Sequence, residues 1–190
     1  MDAFYGVRMF TVAAEPDTAI RVLTAAFADD PVFRWLLPGD GLDAARVFRP
    51  VVEQAAAQGE LVVDPDAAGA AVWLRRGAEA PAGDDTQLPD ELARLTAFMI
   101  LAEQRHPVGR EHVYLAFLGV VPGAQGSGTG GRLLRERLAR ADAERVPAYL
   151  EASTSRSRLF YERHGFRTTG GPIVLPDGPR LWPMWREPRP

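Results

Sequence analysis

A run of six residues, Gly126-Ser127-Gly128-Thr129-Gly130-Gly131, carries the most specific chemical signal in the chain. The run follows an apolar stretch and opens a segment with helical spacing. Glycine lets a backbone approach a ligand closely, and the first N–H groups of a helix have no partner inside the helix. Such a loop favours an anionic group, most simply a pyrophosphate. Dinucleotides and coenzyme A are both held in this way, so the loop alone leaves two interpretations open.

The elements around this loop must bring it next to a reacting group. The residues before the loop predict a central strand over 113–121, buried on both faces, and those after it predict a helix over 130–145 and a strand over 147–152. A strand, a helix and a strand in this order place the two strands parallel through a right-handed crossover. A short helix over 156–163 and an antiparallel meander over 166–185 follow.

The first half of the chain also alternates between helices and strands. The patterns predict helices over 19–27, 42–58 and 92–102, a first strand over 7–12, and a hairpin with strands over 60–64 and 70–74. The length of 190 residues and the absence of a linker favour a single domain over 1–190. The whole pattern predicts a mixed α+β fold.

Composition excludes several classes of protein. A net charge of −3 with no basic stripe argues against binding to nucleic acid. The absence of cysteine excludes disulfides, thiolate zinc sites and a cysteine nucleophile, and the three histidines do not have ligand spacing, so no metal is expected. No leader pattern and no long apolar run is present, which predicts a soluble cytoplasmic protein without a membrane segment.

The glycine run also satisfies the G-x-G-x-x-G pattern of dinucleotide-binding folds. Glu151 stands about 20 residues further on, near the end of the next predicted strand, as that fingerprint requires. A dinucleotide fold needs further βα units after this acidic residue, and only 39 of the 190 residues follow it. The position of the loop therefore favours coenzyme A.

Two motifs resemble the GNAT family of N-acetyltransferases. With Gln125 included, the loop fits the family's Q/R-x-x-G-x-G/A signature, and 161–166 resembles its Y-E-K/R-x-G-F motif. Segments at 27–31, 150–153 and 177–182 resemble the puromycin N-acetyltransferase-like members, so the resemblance covers essentially the whole chain. It implies a central mixed sheet of about seven strands flanked by helices, in which two parallel strands splay apart.

The resemblance implies acetyl-CoA as the cofactor. Its pantetheine arm would add to the splayed strand, the glycine loop would take the pyrophosphate, and an N–H near Val120 would polarise the thioester carbonyl. Family members carry an asparagine either seven or four residues before the tyrosine, and this chain has Thr154 and Ser157 at those two positions. The implied cofactor-binding residues are Leu118, Gly119, Val120, Gln125, Gly126, Ser127, Gly128, Thr129, Gly130, Gly131, Thr154 and Ser157.

Tyr161 occupies the family's general-acid position, where it would protonate the leaving sulfur. A base is also needed, because an alkylammonium must lose a proton before it attacks. Glu151, on the second splayed strand, is the candidate base, and His112 and Glu111 are weaker alternatives. The alternative for Tyr161 is a tyrosine that only packs in the core, and the alternative for Glu151 is a carboxylate that pairs with an arginine.

The acceptor is expected to bind to the N-terminal half. The candidate residues are Phe27, Asp30, Phe33, Trp35 and Trp73, with Phe98 as a further aromatic, although core packing and helix capping explain the same residue types. We expect a primary amine of a small molecule, such as an antibiotic or aminonucleoside in a bacterium. A protein or peptide amine, and a sensor that binds acyl-CoA without turnover, are the alternatives. The sequence leaves monomer and homodimer open.

Overall fold

The structure is a computed structural model that describes residues 15–39, 43–79 and 92–190. The predicted first strand over 7–12 lies outside these residues. The helices are α1 (Pro16–Phe27), α2 (Pro31–Leu36), α3 (Ala44–Ala57), α4 (Ala93–Glu103), α5 (Thr129–Glu144) and α6 (Ser155–Glu162). The strands are β1 (Leu61–Val63), β2 (Gly69–Arg76), β3 (His112–Val120), β4 (Ala148–Ala152), β5 (Arg167–Thr168), β6 (Ile173–Val174) and β7 (Arg180–Arg186).

The seven strands form one mixed sheet in the order β1-β2-β3-β4-β7-β5, and β6 pairs with β7. The pair β3 and β4 is parallel, as predicted, and every other pair in the described residues is antiparallel. The C-terminal strands do not form a simple meander, because β5 and β6 both pair with β7. β6 pairs with Arg180 and Leu181 at the start of β7, and β5 pairs with Met184 and Trp185 near its end.

The two parallel strands diverge after a short contact. Pairing between β3 and β4 is confined to Val113 with Ala148 and Tyr114 with Tyr149. The register between β2 and β3 slips by one residue at Ala116, as a β-bulge does. A bulge bends its strand, and this one lies where β3 leaves β4. The second half of β3 therefore has a sheet partner on the β2 side alone.

Two clusters of apolar side chains lie on opposite faces of the sheet. Ala70, Val72 and Leu74 of β2 join a cluster with α1 and α3, whereas Ala71 and Trp73 join one with α5 and α6. This alternation follows from the two-residue period of a strand. The sheet is therefore covered by helices on both faces.

A third cluster lies at the edge of the molecule. It joins α2, the partly buried side of α4 and the β6–β7 region, and its buried members are Val32, Trp35, Leu36, Ile173, Leu175 and Leu181. This cluster fixes α2 beside β7, so that α2 borders the gap that opens between β3 and β4.

The prediction that β3 is buried on both faces is correct for its first half alone. His112, Val113 and Leu115 are buried, whereas Ala116, Phe117 and Leu118 are partly exposed. The cause is the splay, because β4 no longer covers β3 beyond Tyr114. The apolar sequence of this strand thus has two uses: it fills the core at one end and lines an open cleft at the other.

Candidate functional site

A cavity of about 1380 Å³ opens between the splayed strands. It is lined by the second half of β3, the glycine loop and the start of α5, the end of β4, and parts of α1, α2, α4 and α6. A second cavity, of about 960 Å³, lies beside the C-terminal residues and contains none of the predicted site residues. The first cavity is therefore the candidate site.

The edge of β3 forms one wall of this cavity. Leu118, Gly119 and Val120 all line it and pair with β2 on the other side. Backbone N–H and C=O groups are obligatory hydrogen-bonding groups, so an extended ligand that adds beside this edge would satisfy them. The second half of β3 thus has the geometry of a docking edge for an extended chain.

The glycine loop lies at the end of this edge. Gly126 and Gly128 have φ angles of 83° and 90°, in the left-handed region that favours glycine, and a Cβ atom at either would meet no atom within 4 Å. Gly128 is the N-cap of α5 and supplies no side-chain cap. The start of this 16-residue helix lines the cavity; the Thr129 N–H donates to the Ser127 hydroxyl at 3.4 Å, and the following N–H groups could bind an anion.

Two glycines of the predicted set have packing reasons. A Cβ atom at Gly119 would lie 2.8 Å from the Ala26 side chain, so this glycine lets α1 approach β3. A Cβ atom at Gly130 would lie 3.3 Å from Val120. The close approach of α1 and α5 to β3 sets the width of the cleft.

The polar residues that were predicted to bind the cofactor largely make hydrogen bonds within the protein. Gln125 donates through Nε2 to the Val120 carbonyl at 3.4 Å, and the Ser127 hydroxyl lies 2.9 Å from that of Thr129. Thr154 and Ser157 form a reciprocal capping box at the start of α6. Ser127 is absent from the cavity lining, whereas the others line it. The hydroxyls of the capping box therefore stabilise the helix that carries Tyr161.

Glu151 stands where β4 borders the cavity. Its Oε1 atom is buried without a hydrogen-bond partner among the described residues. Burial raises the pKa of Glu151 to about 7, while the Tyr114 and Tyr149 hydroxyls and the Arg76 guanidinium oppose that rise. A carboxylate with this pKa and an unused oxygen can accept a proton near neutral pH.

Tyr161 lies near the end of α6 and also lines the cavity. Its ring packs against Phe166 at 5.9 Å between centroids, which fixes its direction. Burial, and next the charge of Asp30, raise the pKa of Tyr161, so the hydroxyl stays protonated across the physiological range. The residue is therefore available as a proton donor.

Of the weaker base candidates, neither is placed as favourably as Glu151. His112 is buried, its Nε2 atom lies 3.0 Å from Nε2 of His106, and burial lowers its pKa. Glu111 is exposed, and both residues are absent from the cavity lining. His106 does line the cavity, and burial lowers its pKa to about 3.

A wall of phenylalanines borders the cavity beside α1 and α2, where the acceptor is predicted to bind. Phe27, Phe33 and Phe117 line the cavity, and Phe48 packs behind them. Phe33 and Phe48 stack with 4.7 Å between centroids, and Phe27 lies 4.9 Å from Phe33. This wall suits an apolar or aromatic group.

The sequence of residues 87–187, slightly more than half of the chain, matches the acetyltransferase (GNAT) domain family. The chain belongs to the GNAT family of acetyltransferases. It is an acetyl-CoA-dependent N-acetyltransferase. The seven-stranded sheet with its splayed parallel pair is the GNAT fold, which confirms the fold predicted from the two motifs.

The chain is similar in fold to solved structures of several different acetyltransferases. An acetyltransferase from Corynebacterium glutamicum described as histone acetyltransferase HPA2 and related is 24% identical, with a TM-score of 0.60 and 93% of each chain covered. Mosquito arylalkylamine N-acetyltransferase-like 5b is 16% identical, with a TM-score of 0.67 and coverage of 90% of this chain and 93% of that one. Naa20 from Chaetomium thermophilum, bound to a bisubstrate analogue, is 14% identical, with a TM-score of 0.53 and coverage of 91% and 83%.

The GNAT site has room and donors for acetyl-CoA. The open edge of β3 could pair with the pantetheine arm, and the uncapped start of α5 could bind the pyrophosphate. No helix among residues 15–39, 43–79 and 92–190 is long and apolar enough to cross a membrane. In the same residues no group of three or more potential metal ligands occurs.

Two predicted acceptor residues of this GNAT protein point elsewhere. Trp73 is fully buried in the cluster beneath α5, because its register on β2 turns it away from α1. Trp35 belongs to the third cluster, and its Nε1 donates to the Pro176 carbonyl at 2.9 Å. Neither lines the cavity, so we withdraw both as acceptor contacts.

Asp30 lines the cavity, yet its carboxylate is engaged with the protein. Oδ1 accepts from the N–H groups of Val32 and Phe33, which caps α2. Oδ2 accepts from the hydroxyl of Ser153 at 2.7 Å. The predicted alternative for this residue, helix capping, therefore describes its contacts.

Sequence reasoning missed three groups around Glu151. Arg76, Tyr114 and Tyr149 influence its pKa, and Arg76 lies with its guanidinium carbon 5.6 Å from the centre of the Tyr114 ring. The alternation of β3 and β4 places Tyr114 and Tyr149 at the last paired position before the splay. The period of two along β4 places Tyr149 on the same face as Glu151, and this was the sequence signal for Tyr149.

Proposed function

We propose that the protein transfers the acetyl group of acetyl-CoA to a primary amine of a small molecule that carries an apolar or aromatic group. The observation that carries this proposal is a single cavity that joins the β3 edge, the unpartnered Oε1 of Glu151, Tyr161 and the phenylalanine wall. Acetyl-CoA supplies the thioester whose carbonyl carbon is attacked and whose sulfur leaves.

Glu151 is the general base in this scheme. Its Oε1 accepts a proton from the substrate ammonium, which leaves the nitrogen lone pair able to attack. The N–C bond then forms and the C–S bond breaks, and the second proton that the nitrogen loses as it becomes an amide replaces, through solvent, the proton that Tyr161 gives to the sulfur. A carboxylate with a pKa of about 7 accepts a proton far better than an ordinary glutamate and is still ionised at pH 8.

Tyr161 is the general acid. It donates its hydroxyl proton towards the departing sulfur, and its raised pKa keeps that proton in place until the sulfur becomes basic. Glu151 of β4 and Tyr161 of α6 line the same cavity, so both can serve one bound thioester and amine.

The donor would be bound by backbone groups. We assign the pantetheine arm to Leu118, Gly119 and Val120, and the pyrophosphate to the loop from Gln125 to Gly131. An N–H near Val120 would polarise the thioester carbonyl.

The acceptor would lie between the phenylalanine wall and Glu151. A flat apolar group would pack beside Phe27 and Phe33, with its amine directed towards Glu151, which lines the same cavity. Arylalkylamines and aminonucleosides such as puromycin have this chemistry. The name of the mosquito relative, an arylalkylamine N-acetyltransferase, supports the same class.

A peptide amine is the second candidate. Met99 and Ile100 of α4 line the cavity and are more than half exposed, so an extended apolar chain could lie across its mouth. The Corynebacterium glutamicum structure of the same fold supports this alternative, because its name includes histone acetyltransferase and a histone is a protein substrate.

The test is release of the CoA thiol from acetyl-CoA in the presence of matched amines. The panel contains tryptamine, tyramine, puromycin, butylamine and short peptides with a free N-terminus. The proposal predicts that aromatic amines outperform butylamine and the peptides in kcat/KM. Faster acetylation of peptides would favour the second candidate, and tight acetyl-CoA binding with no acceptor at all would indicate a sensor.

A further inference from the structure

One hydrogen bond joins the acceptor side of the cavity to the catalytic pair. Asp30 Oδ2 accepts from the Ser153 hydroxyl at 2.7 Å, across 123 residues of sequence. Asp30 stands at the start of α2, and Ser153 lies in the connection between β4 and α6. Both residues line the cavity.

Ser153 occupies a critical place in the chain. It follows Glu151 by two residues and immediately precedes Thr154, the N-cap of α6. Tyr161 lies two turns further along the same helix. Ser153 therefore lies in the short connection between β4, which carries the proposed base, and α6, which carries the proposed acid.

The other oxygen of Asp30 holds α2. Oδ1 accepts from the Val32 N–H at 2.9 Å and from the Phe33 N–H at 3.2 Å. Phe33 is part of the phenylalanine wall and stacks on Phe48. One carboxylate thus fixes the acceptor wall with one oxygen and the β4–α6 connection with the other.

We propose that Asp30 is a positioning residue, which acts through Ser153 to set the distance between the acceptor wall and the pair Glu151 and Tyr161. This inference rests on the proposed function. In this role Asp30 acts through its hydrogen bonds to α2 and Ser153 and not as a direct contact of the acceptor. Its charge also lies close enough to raise the pKa of Tyr161, after the larger effect of burial.

The chain offers a matched control. Asp43 also caps a helix, α3, since its side chain accepts from the Ala45 N–H at 2.9 Å, and among the described residues it makes no hydrogen bond to the β4–α6 connection. Loss of either cap costs about 1 kcal/mol of stability. A purely structural role for Asp30 therefore predicts similar behaviour for Asp30→Ala and Asp43→Ala.

The experiment compares Ser153→Ala, Asp30→Ala, Asp30→Asn and Asp43→Ala. Kinetics with an accepted amine are combined with amide hydrogen exchange of α6. The positioning role predicts that Ser153→Ala and Asp30→Ala lower kcat about tenfold or more, with the KM for acetyl-CoA changed less than about twofold. Exchange at Ser157 and Arg158 should quicken in both variants. Asp43→Ala should keep the wild-type kcat and α6 exchange.

Asp30→Asn separates position from charge. Its amide oxygen can still cap α2 and its amide nitrogen can donate to the Ser153 oxygen, so it should recover most of the kcat lost in Asp30→Ala. Wild-type kcat in Ser153→Ala would overturn the inference, even if exchange quickens. Unchanged α6 exchange in both alanine variants would overturn it as well. If wild-type protein acetylated no amine, the proposed function would fail, while the exchange comparison would still decide the position of α6.

Discussion

The proposed donor side of the cavity is built from backbone groups, whereas its proposed acceptor side is built from side chains. On the donor side, the β3 edge and the uncapped start of α5 present backbone groups to the ligand. On the acceptor side, side chains from α1, α2, α4 and β4 face the gap. Backbone sites depend on a few glycines and a register, whereas side-chain sites depend on the direction of every residue. This difference explains why the sequence indicated the glycine loop more directly than it indicated which side chains line the opposite wall.

The acceptor side shows how direction divides similar residues. Phe33 lines the cavity, and Trp35, two positions later on the same short helix, packs into the third cluster. Both residues are aromatic and apolar, so their types alone do not distinguish them. A helix places residues two apart on different faces, and the neighbouring elements decide which face meets the ligand.

The largest effect is expected on the acceptor side, from Glu151→Gln. The variant keeps the shape of the side chain and removes the proton acceptor, so kcat/KM for the amine should fall about 10²- to 10⁴-fold. Thiol release at pH 8 measures it, and acetyl-CoA affinity, followed by calorimetry, should remain the same.

The stability of this variant provides its control. Burial raises the pKa of Glu151 from 4.5 when unfolded to about 7 when folded, so the ionised carboxylate destabilises the fold as the pH rises through 7. Glutamine removes that cost. The free energy of unfolding of Glu151→Gln at pH 8 should therefore equal or exceed that of the wild type, and lower stability would contradict this account of the site.

Tyr161→Phe should have the next largest effect. Loss of the hydroxyl should lower kcat about 10- to 100-fold, because the sulfur must leave without a proton donor. The ring remains in contact with Phe166, so the KM for acetyl-CoA should change less than about twofold. An unchanged kcat with a raised KM would instead assign the residue to donor binding.

The donor side can be tested by Gly128→Ala. Alanine at a φ of 90° costs about 1–2 kcal/mol in backbone strain and should move the N–H groups at the start of α5. We expect acetyl-CoA affinity to fall about tenfold, comparable to one lost hydrogen bond to a charged group. Gly170→Ala is the matched control. Gly170 has a φ of 66°, a Cβ atom there would meet no atom within 4 Å, and the residue does not line the cavity. Equal affinities in both variants would contradict a phosphate site in the glycine loop.

The smallest effect is expected from Trp73→Phe. Trp73 is fully buried and its Nε1 has no hydrogen-bond partner among the described residues, so phenylalanine should change stability by only about 1 kcal/mol. The KM for the acceptor should not change.

Phe33→Ala, by contrast, should raise the KM for the acceptor about three- to tenfold through lost apolar contact. Steady-state kinetics with the best amine distinguish the two, and a raised KM in Trp73→Phe would restore it as an acceptor residue.

The sequence predicted the fold because its signals are local. The hydrophobic period of α5, the apolar β3 and the glycine run each lie within a short segment, and the family motifs fixed their order. The splay was expected from the family resemblance alone, and the bulge at Ala116 was not predicted, because both arise from contacts between distant strands that no local pattern reports. The same limit applies to Asp30, whose link to Ser153 exists only in the folded chain.

The pH dependence of kcat/KM, compared between wild type and Glu151→Gln with one amine, tests the central claim most directly. The claim predicts that wild-type kcat/KM falls about tenfold per pH unit below pH 7, because protonated Glu151 cannot act as a base. The amine itself titrates equally in both proteins, so the extra inflection near pH 7 should be missing from the variant. The same inflection and the same rates in both proteins would contradict the assignment of Glu151 as the base.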